Sequence, residues 1–130
     1  IKVISNVRHF GAYQEFIWGN EINRAFDPKS GKEAWRSDEG KPGYSGGMLT
    51  TAGGLTIFTT QGGTFKVTDA QSGKLLFSQD LGVAAKAGPA TYTAGGQQMI
   101  VQALGGTPGF GRDEAHKAEF GHMIVAYTLQ

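Results

Sequence analysis

The chain has 130 residues, 21 of them glycine, about twice the ~7% usual in globular proteins; glycine in that quantity marks many tight turns between short elements. Twelve Lys and Arg stand against 11 Asp and Glu, a net charge of +1 with no basic stripe, which gives no reason to expect nucleic acid or a lipid surface as partner. Without cysteine there is no disulfide, thiolate, zinc–thiolate or haem-attachment chemistry, and no run of ~20 apolar residues exists to span a membrane as a helix.

Residues 1–19 yield no convincing strand pair, and the aromatic group Tyr13, Phe16 and Trp18 is read as packing against polypeptide outside this sequence. Residues 21–27 and 32–36 predict two strands around a turn that ends at Gly31. Residues 47–51, 55–60, 64–69 and 74–79 predict four more, separated by turns at 52–54, 61–63 and 70–73. In the third of these, Phe65 and Val67 alternate with Lys66 and Thr68, the period of a strand with two different faces. Residues 89–93 and 97–104 predict a further pair, and 122–129 a last strand in which Met123, Val125 and Tyr127 alternate with Ile124 and Ala126. Between them, Arg112, Asp113, Glu114, His116 and Lys117 form a polar insertion, read as a solvated loop or short helix. His9, His116 and His122 share no metal-ligand spacing.

A repeat organises these strands. Asp27, Ser30, Gly31 and Lys32 recur as Asp69, Ser72, Gly73 and Lys74, 42 residues later, with Trp35 matched by Phe77. Thr51-Ala52-Gly53-Gly54 recurs as Thr93-Ala94-Gly95-Gly96 at the same offset. About 40–45 residues is what a four-stranded propeller blade needs. The repeated Asp belongs to a hairpin turn, where its carboxylate accepts N–H groups two or three residues on, rather than to a metal or catalytic site. The expected fold is all-β: an incomplete β-propeller of about two and a half four-stranded antiparallel blades. Its expected units are residues 1–37 (the end of one blade, with a docking repeat), 38–86 (a complete blade) and 87–130 (a final blade lacking its fourth strand). Such a ring does not close by itself, so the remaining blades are expected from further polypeptide, a larger companion chain.

The pattern A-x-D-x-x-x-G-K-x-x-W, carried by Ala25, Asp27, Gly31, Lys32 and Trp35, resembles the tryptophan-docking motif of the quinoprotein, or pyrroloquinoline quinone (PQQ), alcohol dehydrogenases. The stretch Gly46-Gly47-Met48-Leu49-Thr50-Thr51-Ala52-Gly53-Gly54-Leu55 is similar to a late-blade segment of that family. Residues 62–69, Gly88-Pro89-Ala90-Thr91-Tyr92 and Gly105-Gly106 extend the likeness, which runs from about Asn20 to Gln130. The resemblance implies an eight-bladed propeller whose axial cavity holds PQQ with a calcium or lanthanide ion. It also implies a carboxylate base, an alcohol, sugar alcohol or related hydroxyl substrate, an electron acceptor such as a cytochrome or quinone, and a periplasmic location.

The family's catalytic base and metal ligands lie in earlier blades and map onto no residue here, so the expected catalytic and metal sets of this chain are empty. Cofactor contacts are expected from Ser45, Gly46 and Gly47 at the start of one blade and from Gly105, Gly106 and Thr107 in the next. Ser45 and Thr107 stand where many members carry tryptophan, which implies a subgroup distinct from the methanol dehydrogenases. Trp35 is read as blade-to-blade packing rather than a cofactor stack. Two other readings are a noncatalytic propeller scaffold of the outer-membrane assembly type and a small β-domain that stands alone. Paired axial glycines favour the cofactor cavity, which needs close backbone approach where a scaffold does not.

Overall fold

The computed structural model describes residues 20–42, 46–105 and 122–128, and the regular structure there is antiparallel β throughout. Strands β1 (Asn20–Phe26) and β2 (Glu33–Pro42) pair with each other. β3 (Met48–Thr50), β4 (Leu55–Thr59), β5 (Thr64–Asp69) and β6 (Leu75–Asp80) form a four-stranded meander. β7 (Ala90–Ala94), β8 (Gln97–Leu104) and β9 (Met123–Thr128) form a third sheet, in that order.

The repeat is visible as geometry. In the first turn the Gly31 amide donates to the Asp27 carbonyl at 2.8 Å and the Asp27 amide to Lys32 O at 2.9 Å; Gly73, Asp69 and Lys74 repeat both bonds at 2.9 Å. Gly31 and Gly73 sit at φ of 68° and 72°, the left-handed region that side chains avoid. Inside each turn the carboxylate accepts backbone amides, from Lys29 at 2.9 Å for Asp27 and from Ser72 at 2.7 Å for Asp69, as the sequence predicts. Hydrogen bonds from the serine hydroxyl and the backbone amides hold both carboxyls below the usual aspartate range. Even the irregularities recur: a bulge interrupts pairing between Ala25 and Phe26 and again between Val67 and Thr68.

Two strand ends depart from expectation. β3 is shorter than residues 47–51 because Thr51 joins the turn, donating its amide to Leu55 O at 2.9 Å and accepting Gly54 N–H at 3.0 Å. β2 runs on to Pro42, well beyond residue 36, because β1 offers it partners as far as Asn20.

The middle sheet has two different faces, as Phe65/Val67 against Lys66/Thr68 foretold. Ile57, Phe65 and Val67 on one face bury against Ile100 of β8, with Leu49 and Tyr127 completing the cluster. Tyr127 stacks on Phe65, centroids 4.5 Å apart, and its hydroxyl donates to Gln79 Oε1 at 3.0 Å. On the opposite face Lys66 pairs with Glu39 of β2, and the Trp35 indole donates to the Ala70 carbonyl at 2.9 Å across to the turn before β6. Phe77 differs from its repeat partner Trp35. Among the described residues it meets the edges of Phe65 and Tyr127, at 6.3 and 6.2 Å.

Candidate functional site

Gly46 and Gly47 lead into β3, and the link between β6 and β7 passes directly beside them. A Cβ on Gly46 would lie 2.4 Å from the Ala87 carbonyl oxygen and 2.7 Å from Lys86 C; both are backbone atoms with no rotamer to yield. Gly88 answers from the link, its own would-be Cβ 3.3 Å from Gly46 O. Gly47, at φ +106°, stands 3.7 Å by the same measure from Gly88 Cα. At Gly46 only backbone fits against the link, while Gly47 has room for a Cβ but holds a φ that favours glycine.

Gly105, at the end of β8, donates its amide to Ala84 O of the same link at 2.8 Å. The two glycine segments expected to contact a cofactor are therefore tied to one stretch, residues 84–88. Gly47 is exposed while Gly46 and Gly105 are half-buried. Ser45, Gly106 and Thr107 lie outside the described residues, as do Trp18, His9, His116 and the polar insertion.

Two polar features escaped the reading from sequence. The first is Gln102, wholly buried between Ile100 and Leu104 on the packed face of β8. Its Nε2 donates to Ala87 O and to Ala103 O, each at 2.8 Å, and its Oε1 accepts the Thr59 hydroxyl at 3.3 Å. The signal was there, a glutamine in phase with the apolar residues of a strand, but its partners belong to other elements.

The second feature is Glu21, 6% exposed, with Asn23 beside it on the same face of β1. Glu21 Oε2 accepts the Gln61 amide at 3.1 Å, whereas its Oε1 and Asn23 Nδ2 are buried without a hydrogen-bond partner among the described residues. Burial holds the Glu21 carboxyl above the usual range; the Gln61 N–H opposes this, Glu39 adds to it and Lys66 opposes it. A carboxyl raised on folding favours the folded state while protonated and loses that advantage as pH rises through its folded value. Glu21→Gln, which removes the charge that burial penalises, should therefore raise stability at neutral pH by roughly 1 kcal/mol, an ordinary single-mutation effect. The gain should vanish below the usual carboxylate range. Thermal midpoints of variant and wild type at about pH 3 and pH 8 check this, and a gap independent of pH would contradict it.

Among the described residues no group of three or more His, Cys, Asp or Glu is placed to hold a metal ion, and no helix is long and apolar enough to cross a membrane.

Against known proteins, the family model PQQ_2, described as outer membrane protein assembly factor BamB, matches residues 19–114. The chain is 41% identical over 88 residues to the quinoprotein ethanol dehydrogenase of Pseudomonas aeruginosa, covering 68% of this chain and 13% of that protein. It is 37% identical over 81 residues to the 1-butanol dehydrogenase (cytochrome c) of Thauera butanivorans, covering 62% and 12%. Among solved structures, the quinohemoprotein alcohol dehydrogenase from Comamonas testosteroni superposes with a TM-score of 0.62 and 31% identity, over 66% of this chain and 13% of that one. The chain thus spans about an eighth of the length of these relatives. With three antiparallel sheets, one a complete four-stranded blade, and with these relatives, the chain is part of a β-propeller and belongs to the quinoprotein alcohol dehydrogenase family.

Proposed function

We propose that this chain is part of a PQQ-dependent dehydrogenase that oxidises an alcohol, sugar alcohol or related hydroxyl substrate, and that it completes the propeller and walls the cofactor cavity. The observation that carries this reading is the close backbone packing of Gly46-Gly47 against residues 86–88. A flat tricyclic cofactor would lie against such a surface, whose geometry a Cβ at Gly46 would disturb by pushing the link away. Gly46, Gly47 and Gly105, with Ser45, Gly106 and Thr107, are the residues that would touch PQQ. The bound quinone supplies a two-electron acceptor for the substrate hydride, polarised by the calcium or lanthanide ion. This chain's own work is to seat the cofactor's edge and exclude water there. Catalytic base and metal ligands come from the remaining blades.

In the same reading residues 1–37, 38–86 and 87–130 are successive blade units, and Trp35, bonded to Ala70 O and lying on Gly73, serves as the docking tryptophan between two of them. The protein works in the periplasm and hands electrons to a cytochrome or quinone; the cytochrome c in the name of the Thauera relative supports that class of acceptor. The larger companion that supplies the missing blades is either a separate chain or more of the same one.

A second reading rests on the description of the matching family model, an outer-membrane assembly factor: a noncatalytic propeller scaffold. One assay separates them. The complete propeller, given PQQ and calcium or a lanthanide, should reduce an artificial dye in the presence of simple alcohols and show quinone absorbance after desalting. Neither signal, from protein whose melt shows it folded, would favour the scaffold.

A further inference from the structure

Gln102 lies one strand behind the glycine crossing, and the mechanism proposed above gives it no task. It is a carboxamide with 0% exposure, placed where the alternation of β8 calls for an apolar side chain. Burying an amide there costs free energy unless every polar atom is matched. Here its two amide hydrogens go to two carbonyl oxygens and its carbonyl takes a hydroxyl, which also fixes which end is nitrogen, since both carbonyls can only accept.

The three partners belong to separate elements. Thr59 ends β4 of the complete blade, Ala103 is the next residue of β8, and Ala87 lies in the link between the blades. Ala87 O is also the atom that would stand 2.4 Å from a Cβ on Gly46. A single carbonyl thus both accepts the Gln102 amide and abuts the Gly46 backbone. Moving it into Gly46 is blocked, and moving it off Gln102 breaks a partly buried hydrogen bond.

We propose that Gln102 is a positioning residue: acting through the Ala87 carbonyl, with Thr59 orienting its amide, it fixes the seat of Gly46-Gly47 and hence the wall presented to PQQ. The effect on the cofactor rests on the function proposed above; the effect on the backbone does not. Gln102→Leu keeps the bulk and removes the donors. Gln102→Glu keeps the shape and turns a donor into an acceptor facing two carbonyls. Thr59→Val removes only the orienting hydroxyl, and Thr59→Ser keeps it.

The test uses the complete propeller and two readouts, amide hydrogen exchange at residues 46–48 and 86–88 and the dissociation constant of PQQ. Gln102→Leu and Thr59→Val should each speed exchange in both segments and weaken PQQ by about tenfold, the effect of losing one buried hydrogen bond. Gln102→Glu should do so more strongly, while Thr59→Ser and the packing control Ile57→Val leave both readouts near wild type. If Gln102→Leu fails to fold, Thr59→Val carries the test alone. Unchanged exchange at 46–48 and 86–88 in the variants overturns the proposal, whatever PQQ does. Altered exchange in a protein whose wild type takes up no PQQ instead upholds the backbone role and overturns the function assigned to the wall.

Discussion

Replacing Gly46 by alanine should be strongly damaging to the complete propeller. The added Cβ would lie 2.4 Å from Ala87 O and 2.7 Å from two further backbone carbons, a separation no side-chain rotation can relieve. Either β3 or the link must shift. Overpacking of this kind costs about 1–3 kcal/mol, and the shift moves the same peptides that are proposed to meet the cofactor. The complete propeller should lose that much stability and most of its PQQ uptake. Gly53→Ala is the control: that glycine has ordinary φ, and its nearest neighbour, Thr51 Oγ1, would be 3.7 Å from the new carbon. It should change stability by less than about 0.5 kcal/mol, as surface substitutions do. Equal tolerance of both substitutions in melting and PQQ titration would count against the crossing as a constrained site.

Trp35→Ala should be damaging as well. Complete burial of a tryptophan makes its loss worth about 3–5 kcal/mol. Trp35 is half-buried, so about 2–3 kcal/mol is expected, including the hydrogen bond to Ala70 O. Its ring lies on Gly73, where a Cβ would approach Trp35 Cδ2 to 2.7 Å at a backbone φ of +72°. Gly73→Ala therefore combines a left-handed strain of about 1 kcal/mol with a steric clash. In the double variant the clash is absent and only the strain remains, so the two changes should be coupled rather than additive. Chemical unfolding of the four proteins measures this. A Trp35→Ala loss below about 1 kcal/mol, or strict additivity, would contradict the contact's role in joining the blades.

What the sequence disclosed was chiefly what is local. The hairpin turns at Asp27 and Asp69 were readable because a short carboxylate, a serine and a glycine at fixed spacing define a turn without help from the rest of the chain. Their shared offset gave the blade, and the alternation in β5 gave its two faces. Partners across sheets were not readable. Phe77 follows its repeat as far as position, then meets Tyr127 of β9, a partner that the repeat does not supply. Gln102 and Glu21 went unmarked in the sequence, and only the meeting of separate elements shows why one is satisfied and the other strained in charge. The glycines at 46 and 47 were selected by family likeness; the carbonyl that demands glycine at 46 comes from a link some forty residues away in the chain.

The proposed function depends on whether PQQ sits against the backbone at the start of β3. A structure of the complete propeller with PQQ bound decides it. The cofactor should make van der Waals contact, within about 4.5 Å, with the peptides of Gly46 and Gly47, and should reach Gly105 or its neighbour Gly106. A quinone bound elsewhere in the ring, with none of these glycines touching it, would contradict the account.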